Sequence, residues 1–145
     1  MQFFITYDQL ETMRKHVEAC APFEACGLLA GKDGSVSEVY TITNQAQSSI
    51  RYRMDPIEQL HAFNQMEAGG LELIGIFHSH PSGPDAPSLT DIAEAAYPVV
   101  QIIWSHSNRK NKEAPVQPAS GWQARGFWIE NGKSLEVTLQ FSEDE

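Results

Sequence analysis

The chain has 145 residues, 41% of them hydrophobic, so it is the size of one ordinary domain and can bury a core without disulfide staples. A net charge of −9 excludes a phosphate-backbone binder, which needs clustered lysine and arginine; the one basic cluster, Arg109-Lys110-Lys112, falls in a polar stretch. No window reaches the ~18 apolar residues of a membrane span, and the start Met1-Gln2-Phe3-Phe4-Ile5 lacks the basic region of a secretory signal, so the expected location is the cytoplasm.

In chain order, a first helix is expected over Tyr7–Ala19. Thr6 is its cap, Gln9 completes a capping box, and Leu10, Met13 and Val17 form the apolar stripe. Cys26–Ala30 is a continuous apolar run and reads as a buried strand. Asp33-Gly34 turns the chain into Val36–Thr43, whose alternation suits a half-exposed strand. A second helix starts at the cap Asp55, with Pro56 in its first turn and Gly69-Gly70 after its end. Ile57, Leu60 and Phe63 are expected on its buried side.

Leu71–His78 reads as a strand. The breaker-rich Pro81–Pro87 follows, then a short helix from about Ser88 that fails before Pro98. Val99–Trp104 reads as a central strand, 105–121 as a polar loop, and Asn131-Gly132 as the turn of a closing hairpin. There is no internal repeat and no low-complexity stretch, so one domain over residues 1–145 accounts for the chain. The two cysteines, Cys20 and Cys26, are not in a Cys-x-x-Cys pair and read as reduced and buried.

The pattern that carries chemistry is His78-Ser79-His80, seven further residues, then Ser88-Leu89-Thr90-Asp91. Residues i and i+2 of a strand share a face, so two imidazoles can converge on one metal at about 2.0–2.1 Å. The loop folds back and delivers Asp91 in the first turn of a helix as a third ligand. Three protein ligands leave a fourth tetrahedral position open, the mark of a catalytic zinc site, where water can ionise near pH 7. Glu24, at the edge of the Cys26 strand, is the candidate general base. Taken alone, Ser88-x-x-Asp91 is also a plain capping box and Glu24 a solvated carboxylate; it is the joint spacing that is specific.

At these residues the sequence resembles the JAMM, or MPN-plus, metallopeptidases. The motif elements are all present: Glu24, His78-Ser79-His80-Pro81, Ser88 and Asp91, with Pro22–Gly31, Asn44 and Arg51–Pro56 as similar surroundings. The resemblance implies an α/β (mixed α+β) fold, a single MPN-like domain with a mixed central sheet flanked by helices in a cytidine-deaminase-like architecture. It implies one Zn2+ held by His78, His80 and Asp91, Glu24 as the base that deprotonates the water, and Ser88 as hydrogen-bond donor to the oxyanion. Ser79 points away from the histidines and is read as a packing or supporting residue. The implied reaction is hydrolysis of a peptide or isopeptide bond at the C-terminus of a ubiquitin-like or sulfur-carrier protein ending in Gly-Gly. The alternative is a non-catalytic, metal-braced scaffold, which retention of Glu24 disfavours. A zinc deaminase is excluded because its His-x-Glu and Pro-Cys-x-x-Cys pieces are absent.

Overall fold

The computed structural model describes residues 2–106 and 121–143. The elements are β1 (Gln2–Thr6), α1 (Tyr7–Cys20), β2 (Cys26–Lys32), β3 (Ser35–Ile42), α2 (Pro56–Ala68), β4 (Glu72–His80), α3 (Leu89–Ala93), β5 (Val100–His106), β6 (Trp122–Glu130) and β7 (Lys133–Ser142). The strands form one mixed sheet in the order β1-β3-β2-β4-β5-β6-β7, closed on itself. β1 runs parallel to both β3 and β7, and β4 runs parallel to β5. The remaining pairs are antiparallel.

Sequence chemistry starts each helix. Thr6 Oγ1 accepts from Gln9 N while the Gln9 side chain accepts from Thr6 N, so α1 begins in a capping box. Asp55 Oδ1 accepts from Ile57 N and Glu58 N, and Pro56, with no N–H to satisfy, opens α2. Ser88 caps α3.

Two apolar clusters flank the middle of the sheet. Leu10, Met13 and Val17 of α1 pack with Phe3, Ile5, Leu29, Phe77, Ile102 and Trp104. Ala62 and Met66 of α2 pack with Cys26, Leu28, Ala30, Ile42 and Ile76. Because β2 is covered on both faces, it reads as a continuous apolar run and not as an alternating one. Gly27 belongs to this packing: a Cβ there would collide with the Phe77 ring and the Tyr40 carbonyl.

The fold corrects the sequence expectations at three places. β1 was not foreseen, and it is the strand that closes the sheet. β4 extends to His80, so both histidines lie within it. The buried side of α2 is Ala62 and Met66, with Phe63 half-buried, whereas Ile57 and Leu60 are 67% and 56% exposed. At about 100° per residue, Ile57 and Leu60 lie on the opposite side of the helix from Met66. Steps of three residues drift around the axis, so an apolar i, i+3, i+6 series need not coincide with the packed face. Among the described residues, no helix is long and apolar enough to cross a membrane. The basic cluster 109–112 and most of the polar loop 105–121 lie outside the described residues.

Candidate metal centre

Glu24 and the histidines meet through strand register. Cys26 pairs with His78 across the β2–β4 ladder, which carries Glu24 opposite His80 on the same face. Ser79, on the other face, locks that register. Its Oγ accepts from Ala25 N at 2.8 Å, and its own N–H donates to the Ala25 carbonyl at 3.1 Å. The Glu24 backbone is held at both ends: its N–H donates to the Ser48 carbonyl, and its carbonyl accepts from Asn44 Nδ2.

His78 Nε2, His80 Nε2 and Asp91 Oδ2 form a near-equilateral triangle. The His78–His80 separation is 3.1 Å, with His78–Asp91 at 3.2 Å and His80–Asp91 at 3.1 Å. His80 Nδ1–H donates to the Pro84 carbonyl at 2.8 Å, which leaves the Nε2 lone pair for the centre of the triangle. The rings are packed in place: Tyr52 lies against His78 with centroids 4.6 Å apart. Asp91 is fixed by a reciprocal capping box, in which Ser88 N donates to Asp91 Oδ2 and Asp91 N donates to Ser88 Oγ. The loop between them is tied to the sheet. Arg125 of β6 bonds Asp85 at 2.9 Å while also gripping Glu136 of β7, and Asp85 adjoins the Pro84 carbonyl that orients His80.

The electrostatics favour a cation at the triangle. Burial lowers the pKa of His78, against the pull of Asp91. Burial opposes charge on His80 too, but the hydrogen bond to Asp91, the Pro84 carbonyl and the charges of Asp91 and Glu24 outweigh it and raise its pKa. Burial works against the Asp91 carboxylate, yet its bonds to His78 and His80 hold its pKa far below the usual carboxylate range. Glu24 is 3% exposed, and burial pushes its pKa up to about 8, with His80 opposing and Asp91 reinforcing. Glu24 Oε1 and His78 Nδ1 are buried without a hydrogen-bond partner.

These features fit a metal. Ligand bonds of about 2.0–2.1 Å in a tetrahedron separate donor atoms by roughly 3.3–3.4 Å, close to the triangle's edges. Two imidazole nitrogens and one carboxylate oxygen are a borderline-soft donor set suited to zinc-like ions. A positive charge there also satisfies the clustered lone pairs and returns Glu24 to its carboxylate form at neutral pH. His78, His80 and Asp91 are the residues that could hold it.

Comparison with known proteins fits this geometry. Residues 7–120 match the family described as prokaryotic homologs of the JAB domain. The chain belongs to this family. The JAB-domain chain is 39% identical over 88 residues to a desampylase of Pyrococcus furiosus, a match covering 60% of this chain and 63% of that protein. It is 41% identical over 96 residues to a probable TtuB-protein conjugate cleaving protease of Thermus thermophilus, covering 66% and 64%. The matched part thus spans less than two-thirds of either relative's length. A solution structure of a protein from Desulfitobacterium hafniense is 34% identical, with a TM-score of 0.80 over 99% of this chain and 94% of that one.

The JAB-domain motif residues named from the sequence are the ones brought together: Glu24, His78, His80, Ser88 and Asp91. His16 and His61 stand apart from them. His16 Nε2 bonds strand carbonyls of Cys26 and Ile42, and His61 is exposed on α2. His106 packs edge-on against Trp122. Cys26 is buried and Cys20 half-buried, both as free thiols. Three contributors have roles that the sequence does not reveal. Asn44 and Tyr52 stand there only among the similar surroundings of the motif, and the Arg125–Asp85 tie gives no local signal, because each acts on a partner distant in sequence.

Proposed function

We propose that the whole chain, residues 1–145, acts as a single JAMM/MPN-like zinc metallopeptidase domain. It hydrolyses a peptide or isopeptide bond at the C-terminus of a ubiquitin-like or sulfur-carrier protein ending in Gly-Gly. The observation that carries this reading is the triangle of His78, His80 and Asp91 with buried Glu24, whose Oε1 has no hydrogen-bond partner, opposite His80 on the same face of the sheet. The family supports it, as do two relatives named for removing or cleaving protein conjugates. The free thiols Cys20 and Cys26 suit the cytoplasm as its location.

One Zn2+ per chain, which His78, His80 and Asp91 would hold, would supply Lewis acidity and lower the pKa of water to about 7. Glu24 takes the proton of the attacking water and later returns it to the leaving amine as the C–N bond breaks. Its burial excludes bulk water and strengthens its effect on the reacting atoms. Ser88 Oγ already accepts from Asp91 N, so its O–H remains to donate to the oxygen of the scissile carbonyl as negative charge builds. Ser79 and Asn44 hold Glu24 in register through backbone bonds.

The test is to purify the protein, count bound metal and supply a ubiquitin-like carrier bearing a C-terminal adduct. One zinc per chain and release of the adduct are expected. Full turnover by Glu24→Gln would remove the base assignment, and a fourth protein ligand on the metal would favour the scaffold reading.

A further inference from the structure

We propose that Arg51 and Arg53 form a subsite for the free α-carboxylate of the residue released by hydrolysis. This inference rests on the peptidase reading above. A cavity of about 260 Å³ lies beside the metal centre, with His78 and Asp91 in its wall and Arg51, Tyr52 and Arg53 lining it from one segment. It is at the small end of ligand pockets, suited to a short piece of substrate and not to a folded partner.

The arginines there are unlike the others described. Arg14 is paired with Glu11 and Glu18, and Arg125 with Asp85 and Glu136. Arg51 and Arg53 have no ion-pair partner among the described residues. In a chain of net charge −9, two arginines without an ion-pair partner among the residues lining one cavity are a local reversal of sign. The acids that line the same cavity are Asp91, already engaged by two histidines and Ser88 N, and Glu94.

The segment is also anchored to the hydrolytic machinery. Buried Asn44 donates from Nδ2 to the carbonyls of Glu24 and Arg51, and its Oδ1 accepts from Arg53 N. One amide therefore fixes the backbone of both arginines relative to the base. Arginine forks bind carboxylates bidentately, and such charge-assisted bonds are the strong ones.

Chemistry decides which carboxylate fits. An anion in this cavity must belong to the substrate near the scissile bond. When one amino acid is joined through its α-amine to the carrier, its own carboxylate lies one carbon beyond the scissile nitrogen. A lysine side-chain isopeptide offers no such group. The subsite therefore favours a single-residue leaving group over a conjugated protein.

The experiment uses the zinc-loaded full chain and a ubiquitin-like carrier ending in Gly-Gly, joined to a single cysteine as the free acid or as the carboxamide. The free acid is expected to be cleaved with about tenfold higher kcat/KM than the carboxamide. In the Arg51→Gln/Arg53→Gln variant that ratio is expected to fall to about one, and in the double lysine variant to recover in part. A ratio of one in the wild type, or an undiminished ratio in the glutamine variant, would overturn the proposal. A carrier–aspartate carboxamide cleaved as fast as the free acid would also overturn it, by assigning the anion to a side chain. Titration calorimetry on metal-free Glu24→Gln protein separates this from the activity itself. Tighter binding of the acid, lost when both arginines are replaced, sustains the subsite even if no turnover is found. Equal binding of acid and amide overturns it.

Discussion

The two faces of β4 make the instructive comparison. Toward α1 the strand presents Gly75, Phe77 and Ser79. Phe77 is fully buried in the apolar cluster, and the Ser79 hydroxyl is spent on the Ala25 backbone. Toward α2 it presents Ile76, then His78 and His80, so the face turns from apolar to polar over two residues. Among the described residues, three buried polar side-chain atoms lack partners. Trp104 Nε1 sits in the apolar cluster, while Glu24 Oε1 and His78 Nδ1 sit at the polar face. One face sets geometry by packing. The other concentrates polar groups whose desolvation a cation would offset.

The largest expected contrast comes from exchanging residues across that divide. His78→Ala or Asp91→Ala should abolish stoichiometric metal, measured by plasma emission spectrometry, and bring turnover to background. Phe77→Ala should leave metal binding to the folded fraction intact but cost about 3–5 kcal/mol of stability, read from denaturant unfolding. If Phe77→Ala lost metal while remaining folded, the two faces would not be separable. Glu24→Gln should keep the metal and lower kcat by roughly 10²- to 10⁴-fold. Ser79→Ala leaves a buried N–H at Ala25 without its acceptor. About 1–3 kcal/mol should be lost, with a fall in kcat as Glu24 shifts, which steady-state kinetics would detect.

The smallest effect is on pH dependence. Without metal, burial raises Glu24 from 4.5 to about 8, so between those values the folded protein binds more protons than the unfolded chain. Stability should therefore fall as pH rises through that window, and raised His80 acts in the same direction. Urea midpoints measured stepwise should show this slope, and Glu24→Gln should flatten it. An unchanged slope in the variant would place the titrating group elsewhere.

How much of this was legible in the sequence depended on distance along the chain. The capping boxes at Thr6 and Ser88 are local, so they were readable and are present. The metal triangle was readable because strand alternation and a short return loop put His78, His80 and Asp91 within one hairpin-sized stretch. Glu24 required the β2–β4 register, which the apolar run Cys26–Ala30 suggested but could not specify. β1 was invisible because five residues with two buried positions, Phe3 and Ile5, carry little periodic signal. The packed face of α2 was misjudged because Ile57 and Leu60 are apolar yet exposed, and only tertiary contact decides between two candidate stripes. Asn44, Tyr52 and Arg125 act across 20 to 40 residues, where no spacing rule reaches.

β1 has one further consequence. It pairs with β7 over five residues and touches β3 at Phe4, so it is the keystone of a ring with no free ladder at that seam. Removing Gln2–Thr6 would strip that cover, leaving β7 and the start of β3 with unsatisfied main-chain groups ready to template self-association. A residue stretch far from the chemistry thus keeps two strand edges covered.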